Sequence, residues 1–146
     1  MSSFDLNTLD TKTPAEQGIV VELEHPLNPE TPFVDDDGVP YSITILGGDA
    51  GKVRAKERKQ VDRILSAIRK NRDPGDAETG ERDNIDKLAA ATLAWHLPPL
   101  DGELLPDPTE HIARKLYSDP RFPWIAEQLT KRIGDRARFF KKSSIS

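Results

Sequence analysis

The sequence predicts an α+β fold, with a small N-terminal antiparallel β element followed by a bundle of about four α-helices. Three observations predict it. Apolar residues alternate with polar ones in two stretches before residue 46, which is strand spacing. After Gly47-Gly48 the apolar spacing changes to that of a helix and stays so to the end. Strand signals come first and helix signals after, so the two classes are segregated along the chain.

Taken in order, residues 1–17 are small and polar with one proline, and are expected to form a flexible arm. Ile19, Val21 and Leu23 alternate with Glu22 and Glu24 as a half-buried strand, and His25-Pro26 ends it, because proline cannot donate to a ladder. Asp35-Asp36-Asp37-Gly38 is a turn signal, since glycine accepts positive φ without steric cost. Tyr41, Ile43 and Ile45 then alternate with Ser42 and Thr44. This second strand is expected to pair antiparallel with the first or with a short strand near Phe33-Val34. A sheet this small needs a helix on its apolar face.

Asp49 is a suitable N-cap for the next helix, on which Val53, Val61, Ile64, Leu65 and Ile68 share one inward face. A break containing Pro74-Gly75 follows. Ile85, Leu88, Ala89, Thr92 and Leu93 recur at i, i+3, i+4, i+7 and i+8, which predicts a helix running to Trp95 and stopped by Pro98-Pro99. Asp107-Pro108-Thr109-Glu110 reads as N-cap, N1 proline and N3 glutamate of a short helix carrying Ile112, Ala113, Leu116 and Tyr117 inward. Pro123 opens a last helix with Ile125, Leu129, Ile133 and Ala137 at steps of four, reaching Phe140. The expected organisation is therefore an arm at 1–17, one α+β domain at 18–140 (strands in 18–46, helices in 49–140) and a basic, serine-rich tail at 141–146.

Charge and composition narrow the function. Hydrophobic residues make up 36% and charged residues 32% of 146, so a modest core with long solvated segments is expected. Cysteine is absent, which removes disulfide and thiolate chemistry and suits a cytoplasmic protein. No run of about 18 apolar residues exists to span a membrane, and Met1-Ser2-Ser3-Phe4-Asp5 lacks the basic start of a secretion signal. The net charge of −4 hides alternating blocks. Residues 1–48 carry nine acidic side chains against one basic, 49–72 three against nine, 73–119 eleven against four, and 120–146 two against seven. Such blocks meet complementary surfaces within one chain or between copies, or else are solvated faces and tails.

ILGGDAGKVRAK (45–56) raises the question of a phosphate loop. That loop needs G-x-x-x-x-G-K-[ST]. Here Gly47 and Gly51 enclose three residues, and Val53 stands where a metal-binding hydroxyl is required. A strand-to-helix turn fits better. His25, His96 and His111 lack metal-ligand spacing. The acidic turn has Phe33 and Thr44 at the outer positions where a calcium loop needs carboxylates. No catalytic, cofactor-binding or metal-binding residue is assigned. The basic segment from Lys52 to Lys59 could grip phosphates, but it holds no aromatic residue and the chain as a whole is acidic.

Five further segments stand in a recognisable order: Leu88 to Trp95, Leu100-Asp101-Gly102-Glu103-Leu104-Leu105, Asp107 to Tyr117, Phe122-Pro123-Trp124-Ile125-Ala126-Glu127-Gln128-Leu129, and Asp135 to Phe140. Together they resemble the tail assembly chaperones of long-tailed bacteriophages, over about residues 18–142. Gly47-Gly48-Asp49-Ala50 is similar to the Gly-x-Asp-Ser which that family carries before a basic helix, with Ala50 in place of serine. The resemblance implies a non-enzymatic protein of the host cytoplasm that binds the tape-measure protein and tail-tube subunits and is absent from the mature virion. It also implies a longer form made by ribosomal frameshifting, for which Lys141-Lys142 would fit a slippery codon pair, and association into a homo-oligomer.

Holding an amphipathic helix in solution requires an apolar groove with a polar rim. Trp95, Tyr117, Trp124, Phe139 and Phe140 are the candidates for such a surface, and core burial is the competing and preferred assignment for Trp95 and Trp124. Phe139 and Phe140 are neighbours on one helix and cannot both face inward, so one of them is expected at the surface. Arg54 and Arg58, on the basic helix, are candidates to meet acidic blocks of a neighbouring subunit. Two alternatives remain: a nucleic-acid-binding regulator using residues 52–72, and a structural component retained in the virion.

Overall fold

A computed structural model describes residues 5–139. The fold is α+β, a small three-stranded antiparallel sheet with helices making up the larger part. The elements in chain order are α1 (Lys12–Gln17), β1 (Ile19–Glu22), β2 (Ser42–Ile45), α2 (Gly51–Arg69), α3 (Ala77–Ala91), β3 (Thr92–His96), α4 (Glu110–Tyr117) and α5 (Pro123–Ile133). Among the described residues no helix is long and apolar enough to cross a membrane.

The two strands with period-2 spacing form as their residues require. Ile19 and Val21 face inward while Val20 and Glu22 face out. The register pairs Ile19 with Ile45 and Val21 with Ile43, so four β-branched side chains meet on the buried face. Val34 and Pro40 bridge above the Asp35–Gly38 turn, and Phe33 packs against both Tyr41 and Trp124.

Helix α3 is shorter than its apolar spacing predicts. The chain leaves it at Ala91, and Thr92 to His96 become β3 without a connecting loop. Thr92 is extended (φ −75°, ψ 126°) and is β-branched. The deciding influence is non-local. Ile43 and Ile45 of the central strand are wholly buried, and β2 has a second edge whose backbone groups need partners. Residues 92–96 supply them, pairing Ile43 with Trp95 and Thr44 with Ala94.

Residues 12–17 are not a loose arm. The Asp10 carboxylate accepts from the backbone amides of Lys12 and Thr13 and so starts α1. Ala15 is buried, and the Gly47 amide donates to its carbonyl at 2.9 Å. Glu16 then does what Asp49 was expected to do, accepting from the Gly51 amide at the start of α2 at 2.7 Å. The N-cap position there is Ala50, which has no side chain to bond with. At α4 the cap is Thr109, whose hydroxyl accepts from Ile112, so the helix starts two residues later than Asp107-Pro108 suggested. Helix α5 begins at Pro123 as expected but ends at Ile133. Gly134-Asp135 interrupts it, and residues 136–139 form a separate helical turn on which Ala137 is exposed.

The core lies between the inner face of the sheet and the helices, with Ile43, Ile45, Val53, Leu88 and Leu129 at its centre. Two glycines are there for space. A Cβ on Gly47 would stand 2.8 Å from that of Ala15 and 3.2 Å from the Phe139 ring, so only a bare backbone lets α1 and the C-terminal turn cross. Gly18 has φ +75° and passes so close to the Ile45 carbonyl that a Cβ would lie 2.8 Å from its oxygen.

Candidate partner-binding surface

The aromatic residues named as contact candidates are mostly structural. Tyr117 is buried; its hydroxyl donates to the Thr92 Oγ1 at 2.6 Å, and that hydroxyl donates in turn to the Leu88 carbonyl. Burial pushes the Tyr117 phenol well above its ordinary range, so it stays a neutral donor. Trp95 sits edge-on to Tyr117, and its indole N–H donates to the Pro106 carbonyl at 2.9 Å. Trp124 is half-buried against Phe33. Phe139 is buried beneath Gly47, which corrects its assignment as a contact residue. Phe140 lies outside the described residues.

One uncovered aliphatic surface belongs to α2. Val53 is the only buried residue of that helix. Val61, Leu65 and Ile68 were expected inward, yet 52%, 47% and 56% of each is exposed. They fall at i, i+4 and i+7 and form one stripe. The cause is the neighbour. Helices α2 and α3 run antiparallel, tied by Glu57–Lys87, Gln60–Asp83 and Arg63–Asp83 contacts. The stretch of α3 alongside the second half of α2 is AETGERD, which offers one alanine and no larger apolar side chain. Fully burying such side chains stabilises by about 1.5–3 kcal/mol each, so the half left exposed on three of them retains roughly 2–4 kcal/mol for a partner. Sequence did hold this signal, in the polar composition of residues 77–83.

A second concave feature lies between α3, α4 and α5. It is an open groove of 1210 Å³, larger than the roughly 300–1,000 Å³ of common small-molecule pockets. Ile85, Tyr117 and Ala126 share its less exposed lining with Asn84, Asp86, Arg114 and Asp119, while Glu78, Glu81, Arg82, Glu127 and Lys131 stand exposed along it. Asn84 donates to the Thr130 Oγ1 at 3.0 Å and ties α3 to α5 there.

Charge on the basic helix is partly spent inside the molecule. Arg54 bonds Asp49 and Glu57, Lys56 lies 3.6 Å from Glu110, and Arg63 pairs with Asp83. Arg58 and Lys59 are exposed, with no ion pair among the described residues. Arg54 is therefore a structural residue more than a contact residue, whereas Arg58 borders the stripe beside Val61. Asp49 receives Arg136 as well as Arg54, at 2.6 Å and 2.5 Å, and joins the start of α2 to the C-terminal turn. The two guanidiniums, Arg136 above all, hold its carboxyl far below the ordinary range. The acidic turn is organised on itself, with Asp35 accepting from the Asp37 and Val39 amides and bonding His96 at 2.8 Å.

Comparison with known proteins found no matching family model, no matching curated protein and no matching solved structure.

Proposed function

We propose that the chain is a tail assembly chaperone of a long-tailed bacteriophage. It binds apolar helical segments of the tape-measure protein, and tail-tube subunits, by non-covalent contact and without catalysis. The observation that carries this is the stripe of Val61, Leu65 and Ile68, which the fold leaves uncovered on a helix bordered by arginine. A protein that shelters amphipathic helices needs such a surface. The order of segments between residues 18 and 142 that resembles the family supplies the client. Under this proposal the protein acts in the host cytoplasm, leaves before the virion matures, and has a longer frameshifted form.

The test is capture. The tagged chain is co-expressed with tape-measure and tail-tube proteins taken from the genome that encodes it. Retention of either is expected, with loss of at least about tenfold in the double variant Leu65→Gln, Ile68→Gln. Retention of neither by the unaltered chain would overturn the proposal. Mass spectrometry of purified virions is expected to find no copies of the chain.

A further inference from the structure

We propose that the free edge of β3 receives a fourth strand, an extended segment of another protein in which lysine or arginine alternates with apolar residues. This goes beyond the chaperone proposal. It uses a different surface from the α2 stripe and does not depend on that reading.

Three observations carry it. The first is a row of backbone groups without partners. The Leu23 amide donates to the Tyr41 carbonyl at 2.9 Å, so β2 turns the backbone groups of Ile43 and Ile45 towards β1 and those of Ser42 and Thr44 towards β3. Ser42 and Thr44 lie opposite His96 and Ala94, whose backbone groups are therefore engaged with β2. By the same alternation the Leu93 carbonyl and both the amide and the carbonyl of Trp95 point away from the sheet. No other described residue bonds them, and Leu93 and Ala94 stand exposed.

The second is that one edge of the sheet is guarded and the other is not. On β1 the Gln128 side chain accepts from the Glu24 amide at 2.8 Å and donates to the Glu24 carbonyl at 3.0 Å, as a neighbouring strand would. Glu22 and Glu24 are exposed there as well. Charge and a blocked backbone both deter strand addition. Strand β3, TLAWH, carries no carboxylate, lysine, arginine or proline.

The third is charge. Residues 13–51 and 88–113 supply the whole sheet, and they hold twelve carboxylates and no lysine or arginine. Asp35 bonds His96 at the end of β3 and so holds Asp36 and Asp37 beside it. The loop after β3 exposes Asp101, Glu103 and Asp107 and returns at Pro106 to the Trp95 indole. Among the described residues Arg121 alone pairs with that loop, 3.9 Å from Asp101.

These features specify the occupant. An added strand alternates its side chains between the two faces of the sheet. The one beside Trp95 falls on the inner side, near the Tyr117 ring, and is apolar. Those beside Ala94 and His96 fall on the solvent side, within the acidic surround, and are basic. Main-chain bonds supply affinity and the alternate side chains supply selectivity.

The experiment titrates a short synthetic peptide of alternating lysine and valine into the isotope-labelled full chain, to about 1 mM, with amide exchange read by NMR. Two control peptides are used. One carries glutamate for lysine, and the other is N-methylated at alternate backbone amides. With the lysine peptide bound, the Trp95 amide is expected to exchange at least about tenfold more slowly, while the Ala94 amide, already bonded to β2, is unchanged. Both control peptides are expected to bind at least about tenfold more weakly, as is the lysine peptide to the variant Asp36→Lys, Glu103→Lys. Far-UV circular dichroism establishes that this variant is folded.

No binding at about 1 mM, or binding that leaves the Trp95 amide exchanging as before, overturns the proposal. Equal binding of the N-methylated peptide does so too, because charge would then attract without strand pairing. Protection of the Trp95 amide that rises with protein concentration and needs no peptide would give the edge to a second copy and overturn it. Loss of peptide binding in Leu65→Gln, Ile68→Gln would place the site on α2 and overturn it as well. Capture of tape-measure protein is read at Leu65 and Ile68, so either proposal can fail while the other stands.

Discussion

Two leucines test whether the stripe of α2 is a surface. Leu129 of α5 is wholly buried, while Leu65 of α2 is 47% exposed. Truncating each to alanine removes the same atoms. At Leu129 the loss is that of transfer plus a cavity among close-packed neighbours, which costs about 2–5 kcal/mol. At Leu65 roughly half the side chain is already in water and no cavity is enclosed. At about 0.8 kcal/mol per buried CH₂, three groups half-buried lose roughly 1 kcal/mol, and the helix preference for alanine recovers a little of it. Thermal unfolding followed by circular dichroism at or below about 1 μM measures both at high dilution. For a domain of this size, with about 4 °C per kcal/mol, Leu129→Ala is expected to lower Tm by roughly 8–20 °C and Leu65→Ala by about 4 °C or less. Equal destabilisation by the two would refute the reasoning, because Leu65 would then be a core residue.

Three further outcomes are expected. Asp49→Asn weakens the clamp between α2 and the C-terminal turn. The native carboxyl titrates below its unfolded value of 3.8, so its contribution is present above that pH and fades as pH falls below it. The variant is expected to be less stable at pH 7 and to approach the unaltered chain between pH 4 and 2, as read from urea midpoints across that range. Gly47→Ala forces a methyl to 2.8 Å from the Ala15 side chain and is expected to cost about 1–3 kcal/mol by overpacking, measured by thermal unfolding. Thr92→Val leaves the buried Tyr117 hydroxyl without its acceptor, for a loss of about 1–3 kcal/mol. Adding Tyr117→Phe is expected to return part of that loss in a double-mutant cycle.

Sequence spacing revealed what depends on neighbours in the chain and missed what depends on neighbours in space. The alternation of Ile19, Val21, Ile43 and Ile45 needed only a buried face, and both strands formed. Leu88 and Thr92 keep helical spacing across the end of α3, yet Thr92 to His96 serve the open edge of β2, a need set by a strand some fifty residues earlier. The start of α2 was expected one residue too early, and its cap came from Glu16 across the chain, while Asp49 bonds two arginines. Of the candidate surface, Arg58 is exposed beside Val61. Val61, Leu65 and Ile68 were recognised as a face but given a burial that the polar α3 could not supply. Phe139 and Tyr117 went inward through contacts with distant parts of the chain, Phe139 beneath Gly47 and Tyr117 onto Thr92.

The direct passage from α3 into β3 has a mechanical consequence. With no slack residue at Ala91-Thr92, a load applied to the tip of the α2–α3 hairpin is delivered to an edge strand of the sheet instead of being absorbed on the way. The hairpin therefore behaves as a stiff lever rooted in the core. Insertions should be tolerated at its tip, around residues 72–75, and not at its root, where one added residue would turn every side chain of the edge strand to the wrong face.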